Sequence, residues 1–444
     1  MKFKVVSKGA ANLIIKRYSG PFWIRRRWLN RTQWLSASEL KKIQLKLLKR
    51  LVRHCYNTVP YYRWLMDERG ISPESIKTLD DIKRFPILYK KDVLAAEKSI
   101  FSAKYPGWMM TTGLTGGTTG TPLSLPRNLF AVGSEHAFVR RQWDWAGIGF
   151  RDCTAYLSGR VVVDANRNDG QLYEYDPFMK ELILSTYHLS RENARQFGEA
   201  MKRYRVKAIV GYTSSIYFLA KCCLDLGMKV KLKAVLPTSE TINDLMRDTI
   251  AEAFECRVFD FYGAAERVCY IHTCDHGSYH LIPEYGYTEF VPAEDSNNNY
   301  RKVIATGFWN FAMPLIRYDT QDSVILSNEI CPCGREFAVI KSVIGRTGDV
   351  IRTPSGREYG PTLLARVAKG ANNILESQII QDAIDHINIL YVPNGKFTTT
   401  DLLNFRKHMG HNLPDELKMD FKRVSSVERT ASGKMNLLIS KIKS

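Results

Sequence analysis

Over residues 37–69, Leu40, Ile43, Leu47, Leu48, Leu51 and Val52 recur at helical spacing, which predicts an amphipathic helix. Pro60, Gly70, Pro73 and Pro86 then punctuate a region of short elements. Helical stretches return at 129–146, 191–203 and 214–226. Short apolar runs lie at Thr154–Leu157, 208–210, 234–236 and 258–261. Strands alternating with helices predict an α/β body whose sheet is at least partly parallel. Residues 285–326 read differently, as alternating strand-like runs broken at 295–299 and at Pro314. Composition shifts again near 345–348, and the remainder suits a small α+β lid. The expected fold class is therefore α/β. It comprises a large multi-subdomain N-terminal domain with mixed and parallel sheets, followed by that lid. The expected divisions are a basic N-terminal arm at 1–36, the large domain at 37–346 and the C-terminal lid at 347–444.

The 444 residues are too many for one ordinary core. Lys and Arg outnumber Asp and Glu by 64 to 45, a formal charge of +19 that favours anionic partners. That excess is spread along the chain except in the first 38 residues. These carry nine Lys/Arg and no acid, with Trp23, Trp28 and Trp34 interleaved. The segment is either a solvated arm packed on the body or a contact for an anionic membrane face. No apolar run reaches the ~18 residues of a membrane span. The first twenty residues lack the apolar core and cleavage site of a signal peptide. A cytoplasmic protein is expected, with peripheral contact at the inner membrane face as the open alternative. Nine cysteines in such a chain point to free thiols or metal ligands and away from a disulfide framework.

The densest chemical signal is Thr115-Gly116-Gly117-Thr118-Thr119-Gly120-Thr121-Pro122, preceded by Thr111, Thr112 and Gly113. Glycines let backbone N–H groups approach an anion, and threonine hydroxyls add donors, so the run suits a polyphosphate. A plain polar linker has the same composition. No Gly-Lys-Ser/Thr follows at the spacing of a Walker loop. Phe261-Tyr262-Gly263-Ala264-Ala265-Glu266 ends an apolar run with an aromatic ring for stacking and a carboxylate for Mg²⁺, or it is a simple strand-end turn. Asp322, in Ile316-Arg317-Tyr318-Asp319-Thr320-Gln321-Asp322, can accept both hydroxyls of a ribose, though acids are ordinary in turns. Gly345-Arg346-Thr347-Gly348-Asp349 reads as a hinge with an arginine for ribose or phosphate, or as a linker. Arg429-Thr430-Ala431-Ser432-Gly433-Lys434 presents a lysine near the end of the chain.

Taken in this order, the five motifs resemble the adenylate-forming superfamily of acyl-CoA synthetases. The resemblance is strongest to its phenylacetate-CoA ligase branch, in particular the members associated with capsule polysaccharide biosynthesis. It extends to the segment from His54 to Tyr62 and to Phe85-Pro86-Ile87-Leu88-Tyr89-Lys90-Lys91-Asp92. It implies that 37–346 is an adenylate-forming domain using ATP, Mg²⁺, CoA and a carboxylic acid. Thr115, Gly116, Gly117, Thr118, Thr119 and Gly120 would grip the β- and γ-phosphates. Ser239 and Glu240 would border the adenine, with Tyr262 and Gly263 beside it and the Tyr262 ring stacked on it. Glu266 would ligate Mg²⁺. Asp322 would hold the ribose, with Arg346 near it. Lys434 would reach the carboxylate and α-phosphate, where charge builds up. Lys434, Glu266 and Thr118 are thus the implied catalytic residues. The chain departs from relatives at Thr121 (lysine in many), Gln321 (glycine) and Gly348 (aspartate at the hinge). By the same resemblance Gly211-Tyr212-Thr213-Ser214-Ser215 lies near the acyl pocket, and Arg160, with Tyr156 and Ser158, is a candidate to face a polar acid.

Cys274-x5-His280 and Cys331-Pro332-Cys333-Gly334 supply three thiolates and an imidazole, a closed tetrahedral set for a structural zinc. Cys269, His272 and His276 compete for the same role, and a group of buried free thiols is the other reading. The expected activity is acid activation through an acyl-adenylate with release of pyrophosphate, then transfer to CoA. Other acceptors remain open: a carrier protein, or a sugar amine or hydroxyl in polysaccharide biosynthesis. A basic membrane- or nucleic-acid-binding protein on a degenerate fold is the alternative from another class. The intact Glu266, Asp322 and Lys434 speak against it, and no nucleic-acid partner is expected.

Overall fold

The computed structural model describes residues 18, 20–114, 123–164, 170–292, 300–346, 351–359, 372–429, 435 and 437–442. It divides into two compact units, Met1–Gly147 with Phe261–Gly345, and Ile148–Asp260 with Arg346–Ser444.

The first unit is built on a seven-stranded sheet. Its strand order is Gly286–Pro292, Tyr300–Gly307, Tyr318–Leu326, Val339–Arg346, Tyr279–Leu281, Tyr270–Thr273 and Phe261–Gly263. The registers that are described in this sheet are all antiparallel. Where one helix is expected over 37–69, two form, Ala37–Thr58 and Pro60–Glu68. Ser36 and Glu39 make a reciprocal capping box at the start of the first. Pro60 forces Val59 into extended backbone (φ −115°, ψ 108°) and then opens the second helix, where its missing N–H costs nothing. Upstream, Gly20–Thr32 is a helix, not an extended arm. Phe22 and Leu29 are buried, and Arg26 pairs with Asp144 (3.0 Å) on the adjacent helix Leu129–Trp145. Its opposite side, with Trp23, Ile24, Arg27 and Arg31, is exposed.

A buried carboxylate ties these pieces together. Glu284, between two strands of the sheet, accepts from Arg141 (2.8 Å) on Leu129–Trp145 and from the Thr32 hydroxyl (2.7 Å) on Gly20–Thr32. Its backbone carbonyl accepts from Trp309 Nε1 at 2.9 Å.

The second unit holds a six-stranded sheet ordered Tyr173–Asp176, Glu181–Leu184, Thr154–Leu157, Ala208–Tyr212, Ala234–Thr238 and Arg257–Val258. It is parallel except at the Tyr173–Asp176 edge. Arg191–Arg203 and Asp244–Phe254 are helices with side-chain caps from Ser190 and Asn243, and Thr213–Asp225 starts directly at the end of a strand. From Thr154–Leu157 the chain builds first the two strands on one side, edge strand first, and then those on the other. The carboxyl ends of Thr154–Leu157 and Ala208–Tyr212 therefore mark the topological switch point. The C-terminal part adds a four-stranded sheet ordered Lys418–Arg423, His386–Pro393, Ile374–Ala383, Leu438–Ser440, together with helix Thr399–Asn412. Within this unit Leu375, Val392, Val427 and Met435 join the core of the parallel sheet. Half-buried Lys221 donates to the carbonyl of Ile374 (2.5 Å), and desolvation lowers its ammonium pKa to about 8. The architecture is the expected α/β class with a small α+β C-terminal part.

Replacing Arg141 with Met should leave Glu284 as an uncompensated buried charge and cost about 3–5 kcal/mol. Urea unfolding followed by tryptophan fluorescence should show an earlier first transition, and an unchanged midpoint would contradict the role given to this pair.

Candidate functional site

Strand Phe261–Gly263 lies at the edge of the antiparallel sheet, with Tyr262 opposite Ile271. The Tyr262 hydroxyl donates to Asp322 Oδ2 at 2.6 Å. Burial, and then the Asp322 charge, push this phenol well above its ordinary pKa. Asp322 is placed by a bulge. Lys302 pairs with Ser323 but Ile304 pairs with Asp319, so residues 320–322 face the single residue between. Gln321 takes left-handed backbone there (φ 62°), which glycine adopts without strain. This is the physical reason for the glycine that the resemblance implies at this position. The Asp319 carboxylate accepts from Gln321 N–H (2.8 Å), and Asp322 N–H donates to Thr320 Oγ1 (3.2 Å), which fixes the bulge.

Glu266 is buried, and its Oε1 accepts from the Tyr318 hydroxyl at 3.1 Å. One strand, Tyr318–Leu326, thus holds Asp322 against Tyr262 and Tyr318 against Glu266. Two motifs separated by more than fifty residues of sequence become one constellation. Tyr318 was not singled out from the sequence. Its only signal is its place four residues before Asp322 in an alternating run. Gly263 pairs with Tyr270 at the edge of the same sheet.

In the second unit Ser239 sits in left-handed backbone (φ 68°) just beyond Ala234–Thr238. The Glu240 carboxylate accepts from Ser214 N–H (2.7 Å) and Ser214 Oγ (3.2 Å), at the start of helix Thr213–Asp225. Thr213 Oγ1 donates back to the Glu240 carbonyl at 3.0 Å. The two strand ends that carry Tyr212 and Ser239 are therefore locked to each other. Arg160 pairs with Glu181 (2.8 Å), the first residue of the neighbouring strand, and lies over the Tyr156 ring (4.7 Å). The guanidinium thus bridges to the neighbouring strand with its side chain about a third exposed (35%).

Thr115, Gly116, Gly117, Thr118, Thr119, Gly120, Gly348 and Lys434 lie outside the described residues, as does the Arg346 side chain. The hairpin that carries the Gly/Thr run is described. Met110–Leu114 pairs antiparallel with Ser124–Asn128, and Arg127 on the second strand donates to the Ala265 carbonyl at 2.6 Å.

Cys274, His280, Cys331 and Cys333 converge, their ligand atoms all within 4.8 Å of one another. Cys274 Sγ is 3.6 Å from Cys331 Sγ, and Cys333 Sγ is 3.4 Å from His280 Nε2. A tetrahedral zinc with Zn–S of about 2.3 Å needs edges of about 3.8 Å, so the quartet fits. His280 Nδ1 lies 3.4 Å from the Phe337 carbonyl, which fixes the tautomer that leaves Nε2 to the site. The competing residues stand apart from the quartet. His272 packs on Trp145 (4.5 Å between rings), and Cys269 Sγ accepts from Thr288 Oγ1 at 3.5 Å. His276 contributes its backbone N–H to Cys274 Sγ (3.3 Å).

A parallel α/β sheet, an antiparallel sheet bearing Tyr262, Glu266 and Asp322, and a small α+β C-terminal part define the class of adenylate-forming ligases. The comparisons agree. The CapK C-terminal domain family matches residues 351–441. Protein CapK of Staphylococcus aureus is 24% identical over 412 residues, 92% of this chain and 90% of that protein. The phenylacetate-coenzyme A ligase of Escherichia coli (strain K12) is 30% identical over 351 residues, 71% of this chain and 73% of that one. The solved structure of 2-hydroxyisobutyryl-CoA ligase in the postadenylation state, in complex with R3-HIB-AMP, shares the fold. Its TM-score is 0.71 at 17% identity, over 93% of this chain and 92% of that chain. The chain belongs to the phenylacetate-CoA ligase family of adenylate-forming ligases.

At the switch point Gly211 abuts the neighbouring strand so closely that a Cβ would stand 2.1 Å from the Leu157 carbonyl oxygen. Gly211→Ala should therefore force the strands apart and cost about 1–3 kcal/mol, read as a lower thermal midpoint. An unshifted midpoint would show that the strands yield there.

Proposed function

We propose that this protein uses ATP to activate a carboxylic acid and then passes the acyl group to CoA. The observation that carries the proposal is the joined constellation of Tyr262, Asp322, Glu266 and Tyr318. It offers an aromatic ring, a carboxylate for two ribose hydroxyls and a buried carboxylate for Mg²⁺ on one sheet. A carboxylate oxygen of the acid attacks the α-phosphorus and the bond to pyrophosphate breaks, giving the acyl-adenylate. The CoA thiolate then attacks the acyl carbonyl and AMP leaves. Glu266 would hold Mg²⁺, which neutralises phosphate charge. Thr115 to Gly120 would grip the β- and γ-phosphates, with Ser239 and Glu240 at the adenine and Arg346 near the ribose. Lys434 would supply a positive charge at the reacting carboxylate. Residues 347–444 would move as a lid about Gly348, on a body formed by 37–346.

ATP–pyrophosphate exchange against a panel of carboxylic acids tests this reading. Acid-dependent exchange should appear in the wild type, and Lys434→Ala should lower it on the order of 10²–10³-fold. Exchange that persists in the variant would remove Lys434 from the mechanism. Product analysis with CoA, a carrier protein and amino or hydroxyl sugars as acceptors would decide between a thioester product and a polysaccharide-linked acceptor.

The Cys274, His280, Cys331 and Cys333 quartet would bind zinc as a structural clamp between two segments of the first unit, with no chemistry at the metal. Elemental analysis of the purified chain should give about one zinc per molecule. Cys331→Ser should lose it and melt earlier, and a metal-free wild type would overturn the assignment.

A peripheral contact with an anionic membrane face is supported by the exposed Trp23, Ile24, Arg27 and Arg31 on Gly20–Thr32. No described helix is long and apolar enough to cross a membrane. Co-sedimentation with phosphatidylserine vesicles, lost in high salt, is the expected result, and equal recovery with neutral vesicles would remove the electrostatic basis.

A further inference from the structure

Arg127 belongs to none of the motifs singled out in the sequence, yet its side chain occupies a defined place beside them. Across the hairpin Arg127 pairs with Thr111, and Gly113 pairs with Leu125. The guanidinium nevertheless lies against Gly113, two residues nearer the Gly/Thr run. A Cβ at Gly113 would stand 2.5 Å from Arg127 Cζ. The side chain therefore runs along the hairpin toward the segment 115–122, and the glycine leaves room for it. Its Nη2 is anchored on the carbonyl of Ala265, the residue before Glu266, at 2.6 Å. Among the described residues Arg127 makes no ion pair, and its buried Nε has no hydrogen-bond partner.

A second arginine follows Glu266 directly in the chain. Arg267 takes left-handed backbone (φ 59°), and its buried Nη1 also lacks a partner. Its Nε is 3.8 Å from Glu135, whose carboxylate also receives the Tyr285 hydroxyl at 2.5 Å. Burial is the main cause that lowers the Arg127 pKa, and the Arg267 charge is the next. The carboxylates of Glu135 and Glu266 both act on Arg127, and Arg267 approaches Glu135, yet each arginine keeps a buried N–H unmet. Such an arrangement is unfavourable until an anion with several acceptor oxygens fills it.

We propose that Arg127, assisted by Arg267, binds the β- and γ-phosphates of ATP and holds the pyrophosphate leaving group between the root of the Gly/Thr run and Glu266. The proposal rests on the adenylation reading and adds to it two phosphate-binding residues. Arg127 would neutralise charge as the α–β bond breaks, and AMP, which lacks those phosphates, would not depend on it.

The test is calorimetric binding of ATP, inorganic pyrophosphate and AMP, each with Mg²⁺, to the full chain. Arg127→Gln should weaken ATP and pyrophosphate about 10–100-fold, the loss expected for charge-assisted hydrogen bonds, and leave AMP within about twofold. Arg127→Lys should recover part of the loss. Gly113→Ala keeps the charge but displaces the guanidinium. It should give the same selective weakening, and it carries the test if Arg127→Gln does not fold. Unchanged ATP and pyrophosphate binding in these variants would overturn the proposal while leaving adenylation standing. Equal weakening of AMP would reduce Arg127 to a structural tie on the Ala265 carbonyl. A wild type that binds no nucleotide would overturn the adenylation reading and this assignment together.

Discussion

The first unit depends on one buried carboxylate. Glu284 has no contact with solvent, so its charge is sustainable only while Arg141 and Thr32 remain in place. Those partners come from two different helices, and Glu284 itself lies in the sheet region. One desolvated charge therefore fixes how Gly20–Thr32 and Leu129–Trp145 pack on the strands. Leu129–Trp145 follows directly from the hairpin that carries Arg127, and it ends at Trp145, which packs on His272 next to the cysteine quartet. The helix held by this ion pair thus lies between the hairpin and the neighbourhood of the Cys/His cluster.

Each unit carries a local backbone device within its own sheet. In the antiparallel sheet a bulge turns Asp322 toward Tyr262, and the same strand presents Tyr318 to Glu266. In the parallel sheet Glu240 bonds the start of Thr213–Asp225 to the end of the neighbouring strand, which holds the turn at Ser239 in its left-handed form. Both devices concentrate backbone irregularity beside residues to which the proposed function assigns a role, and both are stabilised by hydrogen bonds within their own sheet.

Much of the element pattern was legible because it follows from short-range rules. The run at Thr154–Leu157 and the helix over 191–203 were read at their observed bounds, since burial on a sheet and helical period both mark the sequence directly. The region 37–69 was read as one helix because its apolar period continues through Pro60, whose steric effect on Val59 divides it. The pairing of Arg160 with Glu181 on the adjacent strand has no mark among its sequence neighbours. Arg127 and Tyr318 left almost no trace, since an isolated arginine or tyrosine in a strand acquires meaning only from what lies across the fold.

The sequence alone determined the class of protein. The order of the Gly/Thr run, Tyr-Gly-x-x-Glu, the Asp322 segment, the Gly-Arg turn and the terminal lysine motif is chemistry written in residue types, and it survives without coordinates. Tertiary structure decided which partners those residues have. It gathered Cys274, His280, Cys331 and Cys333 out of seven nearby cysteines and histidines, paired Arg160 with Glu181 and anchored Arg127 on the carbonyl before Glu266. The physical reason is range. Helical period, capping and turn preference act over a few residues, whereas ion pairs, metal geometry and buried hydrogen bonds join positions far apart in sequence, and only the packed chain fixes their distances.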